Sequence, residues 1–163
     1  MPQSESPSFE RHDHNHCIAS TVGMVATACA DQGLQLTPVR KRVLELLLDQ
    51  HRALGAYELL DGLRADGLGS QPPAVYRALE FLVSHGFAHK IERLNAFIAC
   101  GFAATRHSPA FLICRGCHAI AEADSDGISA AIEKTARDCG FVTEQRVVEI
   151  EGLCPRCVTE QPA

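Results

Sequence analysis

Two C-x-x-C pairs, Cys114-Arg-Gly-Cys117 and Cys154-Pro-Arg-Cys157, flank the interval from residue 118 to residue 153. Each spacing lets a tight turn aim two thiolates at one ion, and two such turns complete the tetrahedral four-sulfur shell that zinc prefers. The interval is longer than a zinc ribbon uses, so a whole helix and a strand have to lie between the pairs. A metal held by all four thiols would clip the C-terminal residues onto the unit that carries the first pair. The competing readings are free thiols, a disulfide, or a redox dithiol at Cys154 and Cys157. A redox dithiol is activated at the N-terminus of a helix, and no helix of useful length is expected in the six residues after Cys157. Hydrolase and deaminase zinc motifs are missing, since neither H-E-x-x-H nor H-x-E occurs in the sequence.

The remaining composition says where such a metal could work. The chain has 163 residues with 46% hydrophobic and 21% charged side chains, enough for one ordinary domain or two small ones, each with a core. No apolar run approaches the ~20 residues of a membrane helix. The first residues lack an apolar stretch of signal-peptide type, so the cytoplasm is expected. In that reducing compartment eight cysteines point to metal or redox chemistry rather than to a disulfide framework. The net charge of -5 is uneven: residues 1–33 and 96–163 carry -3 each, whereas residues 34–95 carry +1. The middle third therefore permits a DNA-binding face.

Periodicity organises the rest. Residues 1–17 read as a mobile His-rich tail, in which His12, His14, His16 and Cys17 could capture metal weakly. A helix is expected over 18–31. Thr37 as a cap and Pro38 in the first turn open a second, with Val39, Val43, Leu46 and Leu47 on one stripe. A third fits 56–63, and Pro72-Pro73 opens a fourth that turns Val75, Leu79, Leu82 and Val83 inward and Arg77 outward. Strand-like runs at 87–93 and 95–100, joined at Leu94-Asn95, complete a winged helix-turn-helix over 18–100, whose fourth helix would enter the major groove. Residues 101–109 read as a hinge. A small α/β unit follows over 110–163, with strands at 110–114, 118–123 and 141–150 and a helix at 127–138. The overall class is α+β. Arg40, Lys41 and Arg42 are expected to serve phosphates, and Asp61 and Arg64 to form a surface pair. Cys29 and Cys139 are expected to be buried thiols. His51, His85 and His118 receive no role.

His89, Cys100, His107 and Glu122 are scattered over the wing, the hinge and the second unit, and their spacing alone does not assemble them. As a set they offer two imidazoles, one thiolate and one carboxylate, which zinc accepts.

The motifs Thr37-Pro38-x-Arg40, Pro72-Pro73-x-Val75-Tyr76-Arg77-Ala78-Leu79, Gly86-Phe87-Ala88-His89-Lys90 and the two cysteine pairs resemble those of the ferric uptake regulator superfamily, most of all its zinc uptake regulator branch. The resemblance covers about residues 20–158. It implies a homodimer with N-terminal winged-helix domains and C-terminal dimerisation domains, binding an inverted repeat in double-stranded operator DNA. It also implies two zinc ions per chain, a structural one on Cys114, Cys117, Cys154 and Cys157 and a regulatory one on His89, Cys100, His107 and Glu122. DNA contacts fall on Tyr57 and Arg77. The iron-sensing branch carries a carboxylate where Cys100 stands, and the soft thiolate favours zinc over ferrous iron. The implied function is a zinc-responsive repressor of zinc-uptake genes without enzymatic activity. An iron- or peroxide-sensing repressor, a thiol oxidoreductase and a zinc-storage protein remain the rival expectations.

Overall fold

The structure, a computed structural model, describes residues 9, 14–50, 52–68, 71–101 and 107–160. The chain divides into two compact units, residues 10–105 and residues 106–163, the latter joined by 1–9. His12, His51 and the predicted hinge residues 102–106 lie outside the described residues.

The first unit contains α1 (His14–Asp31), α2 (Pro38–Leu48), α3 (Ala56–Ala65), α4 (Pro72–Ser84), β1 (Ala88–Ile91) and β2 (Ala96–Ala99). This is the element order expected of a winged helix-turn-helix. Helix α1 begins four residues before the predicted Ile18, so His14, His16 and Cys17 belong to a helix rather than to a tail. Thr37 caps α2 as the sequence suggests, its hydroxyl accepting the Arg40 N–H at 3.4 Å. At the start of α3 the Glu58 carboxylate reaches back to the Gly55 N–H at 3.0 Å. Two residues past the end of α4 stands Gly86, whose φ of +75° is costly for any residue with a Cβ and lets the Phe87 N–H turn back to the Leu82 carbonyl at 2.8 Å.

Helices α2, α3 and α4 bury Val43, Leu44 and Leu47, Leu59, Leu60 and Leu63, and Val75, Ala78, Leu79 and Leu82 around Phe87. Each fully buried Leu contributes roughly 1.5 to 3 kcal/mol. Two stripe residues differ from expectation: Leu44 takes the fully buried place assigned to Leu46, and Val83 is 36% exposed at the edge of α4's apolar arc. The wing strands are shorter than predicted. Ile91 pairs with Ala96, and a single 3-10 turn at Glu92–Leu94 with Asn95 left-handed at φ 46° joins them. Asparagine tolerates that conformation because its short side chain bonds locally. Leu54 adds an isolated bridge to Phe97.

The second unit contains β3 (Pro109–Cys114), β4 (Ile120–Asp124), α5 (Asp126–Asp138), β5 (Val148–Gly152) and α6 (Pro155–Glu160). Its sheet runs β4-β3-β5, with β3 antiparallel to β4 and parallel to β5. The parallel pair needs a crossover, and α5 supplies it. Two expectations fail here. The strand predicted from Phe141 forms only from Val148, leaving Phe141 and Val142 68% and 80% exposed; apolar, β-branched composition marks a segment that needs covering, not necessarily a ladder. A short helix also begins at Pro155, directly after Cys154, where none was expected. Among the described residues no helix is long and apolar enough to cross a membrane.

Candidate metal centres

Cys114 ends β3, a three-residue turn leads to Cys117, Cys154 follows β5, and Cys157 sits in the first turn of α6. The parallel register sets Cys114 opposite Gly152, so the two C-x-x-C turns leave neighbouring strands at the same end of the sheet. The four sulfurs lie within 4.8 Å of one another. Cys114, Cys154 and Cys157 are buried, and Leu153 and Phe9 pack against them. Phe9 belongs to the segment read as a tail, and nothing periodic around it signalled a packing role.

The turn after β3 is closed by the His118 N–H on the Cys114 carbonyl at 2.9 Å, with His118 itself left-handed at φ 61°. Space is tight at Gly116: a Cβ there would stand 3.0 Å from the Cys157 sulfur, which would have to give by a few tenths of an ångström. The Cys154 N–H donates to the Cys114 sulfur at 3.3 Å. Burial pushes the Cys114 thiol up, but this bond and those from the Cys117 and Gly116 backbone pull it down to about 6. Burial and hydrogen bonds from the other three sulfurs push Cys157 up to about 12. The Cys114 sulfur is thus prepared as a thiolate, the form in which a thiol ligates a metal. The donor set fits a structural zinc: four sulfurs within 4.8 Å of one another, three of the four cysteines buried.

The second predicted set consists of two pairs, one in each unit. In the first unit His89 lies opposite Ile98, and the Cys100 N–H donates to the Phe87 carbonyl at 3.0 Å. The antiparallel register therefore puts His89 and Cys100 on one face of the wing as diagonal neighbours, their ligand atoms within 4.8 Å. Cys100 is 1% exposed. In the second unit Glu122 on β4 faces Phe111 on β3, and its Oε1 lies 2.5 Å from His107 Nε2. Glu122 is nearly buried and His107 is half-buried. Each pair offers two donors, half of a zinc shell.

Tyr57 on α3 is 70% exposed, so it is free of the helix packing that its position also allowed. Arg77 is exposed on α4, and beside it Tyr76 is 51% exposed, an aromatic that the apolar-arc reading passed over although it falls outside that arc. The three residues expected to serve phosphates have partners within the chain, Lys41 lying 3.8 Å from Glu45. Arg40 donates to the Gln35 carbonyl at 2.6 Å and lies 3.7 Å over the Phe81 ring. Arg42 is held by Asp66 at 2.6 Å and Glu45 at 3.3 Å. Asp61 and Arg64 form the expected exposed pair at 3.4 Å. Cys29 is buried as expected, but Cys139, at the end of α5, is exposed.

The model of the Ferric uptake regulator family matches residues 31–151. The zinc uptake regulation protein of Escherichia coli K12 is 40% identical over 131 residues, spanning 80% of this chain and 77% of that protein, and that of Shigella flexneri matches to the same extent. Among solved structures, a zinc uptake regulator complexed with zinc and DNA superposes with a TM-score of 0.84 at 36% identity, covering 88% of this chain and 96% of that one. The holo form of XcZur gives 0.79 at 42% identity, covering 86% and 98%.

Proposed function

The chain belongs to the ferric uptake regulator family, and on that premise we propose that it is a zinc-sensing transcriptional repressor of zinc-uptake genes, acting in the cytoplasm as a zinc-loaded dimer on operator DNA. The observation that carries this reading is the pair of half-sites. His89 with Cys100 and His107 with Glu122 each supply two donors, too few for zinc alone, and together they make the four that zinc takes. In this reading each chain holds two zinc ions, one on the cysteine cluster and one on the joined half-sites. Zinc, when bound, supplies a tetrahedral link between one donor pair and the other.

The residues of the chain do the rest. Each half-site binds only two donors' worth of metal, so high affinity belongs to the arrangement in which all four donors converge, and that arrangement is the one zinc selects. Cys100 biases the set toward zinc over ferrous iron. The exposed face of α4 presents Arg77 for a bidentate contact to guanine, discriminating by ~1 to 3 kcal/mol, and α3 presents the exposed Tyr57. A dimer sets its two α4 helices about one DNA turn, ~34 Å, apart over an inverted repeat. The similarity to a zinc uptake regulator complexed with zinc and DNA supports DNA binding by this chain.

The test is zinc per chain by elemental analysis, with operator binding at fixed salt, for the native chain and for Cys100→Ser. Two zincs are expected in the native protein, and one in a folded, dimeric Cys100→Ser that no longer binds operator in response to zinc. Zinc-dependent operator binding retained by Cys100→Ser would overturn the assignment.

A further inference from the structure

His107 is the ligand with the least regular backbone around it. It precedes β3 by two residues and joins no ladder, whereas Glu122 is fixed within β4. What fixes His107 is the next residue. The Ser108 carbonyl accepts the Ser125 hydroxyl, and the Ser108 hydroxyl accepts an Arg146 Nη2–H at 2.6 Å. Ser125 meets the Ser129 hydroxyl of α5 at 3.1 Å, and Arg146 donates its other terminal nitrogen to Glu133 of α5 at 2.5 Å. Ser125 and Ser129 are, among the described residues, the buried polar side chains of the chain. The two serine hydroxyls and both terminal nitrogens of Arg146 are bonded within this network, whereas the buried Arg146 Nε has no hydrogen-bond partner among the described residues; a buried network of this kind narrows the local arrangements available. This one converges on a single residue from the loop before α5, from α5 itself and from the segment before β5.

We propose that Arg146 is a positioning residue for the regulatory zinc site: together with Ser125 it holds Ser108, and through Ser108 it sets His107 within reach of Glu122. The inference rests on the functional reading above, because it gives the His107 and Glu122 pair its purpose. A guanidinium is suited to the task, since its planar fork serves Glu133 and Ser108 at once. A lysine at 146 would reach one of them. Groups that orient metal ligands from outside the coordination shell typically change metal affinity by ~10 to 100-fold when removed.

The experiment titrates zinc into the full-length dimer, its cysteine cluster already loaded, against a chromophoric chelator, and compares the native chain with Arg146→Met, Arg146→Lys and the milder Ser108→Ala. Cobalt(II) substituted at the same site reports the geometry directly through its d–d absorption. The expected result is one tightly retained zinc in every variant and a melting temperature close to native. The second zinc should be weakened tenfold or more in Arg146→Met and less in Arg146→Lys and Ser108→Ala, with an altered cobalt spectrum. Native second-site affinity and an unchanged cobalt spectrum in Arg146→Met and Ser108→Ala would overturn the inference while leaving the repressor reading intact. Loss of both zincs from Arg146→Met and Ser108→Ala alike would also overturn it, by assigning the network to folding. A native chain that takes up one zinc only would overturn the regulatory site itself and this inference with it.

Discussion

The four cysteines lie in one unit, at the same end of one sheet, three of them buried and one sulfur already receiving backbone N–H groups. The other four donors are divided, two on the wing of the first unit and two in the second. Any chain that forms β3 and β5 in their observed register has gathered most of the first site, so its metal energy adds to folding energy. Each unit gathers two of the divided donors and neither gathers four. In the proposed reading their metal energy depends on the two pairs converging, and a binding energy that differs between arrangements is what a sensor needs. Locality thus separates a staple from a switch.

The largest effect should come from breaking the staple. Cys117→Ser removes one sulfur from a shell whose zinc contributes on the order of 10 kcal/mol in small metal-folded domains. The second unit, barely large enough to hold itself by its core, should lose its cooperative thermal transition by circular dichroism, with zinc content falling accordingly. A melting profile equal to the native one would erase the difference drawn between the sites.

Proton release sharpens the contrast. Above about pH 6 Cys114 is already a thiolate, which leaves up to three thiols to strip at the cluster against one at the divided site, so more protons should leave per zinc at the cluster. Calorimetry in buffers of different ionisation enthalpy measures this. Zinc affinity of the cluster should fall as pH falls, most steeply through about 6, where Cys114 too becomes protonated. Each extra proton released makes the affinity roughly tenfold more sensitive per pH unit. Equal proton counts at the two sites would contradict the assigned donor sets.

The smallest effect is a control on both. Arg77→Ala should cost ~1 to 3 kcal/mol of discrimination between operator and mismatched DNA while leaving two zincs per chain. A change in zinc content would tie α4 to a metal site and blur the separation.

Much of this was legible without coordinates. The C-x-x-C pairs were, because a turn of four residues brings its ends together whatever the rest of the chain does. So were α2 and α4, where capping by Thr37, Pro38 and Pro72 and a stripe of period 3.6 agree. The failures share a cause. Phe141 to Val147 reads as a strand by composition but has no ladder in this chain. The region read as a tail yields a helical turn at His14 and a packed Phe9. Arg40 and Arg42 read as phosphate contacts from their clustering alone, and their partners Phe81, 41 residues from Arg40 on another helix, and Asp66 came only with the fold.

The sequence by itself determined the cysteine cluster, the order of helices and wing, and the donor types that suit zinc, since all of these follow from chemistry and from contacts a few residues apart. Only the tertiary structure decided that Glu122 faces His107 across 15 positions, that His89 and Cys100 share one face of the wing, and that Arg146 reaches back 38 residues to Ser108. Those meetings depend on strand register and crossover geometry, where a shift of one residue turns a side chain to the opposite face, and no local pattern in the chain encodes that choice.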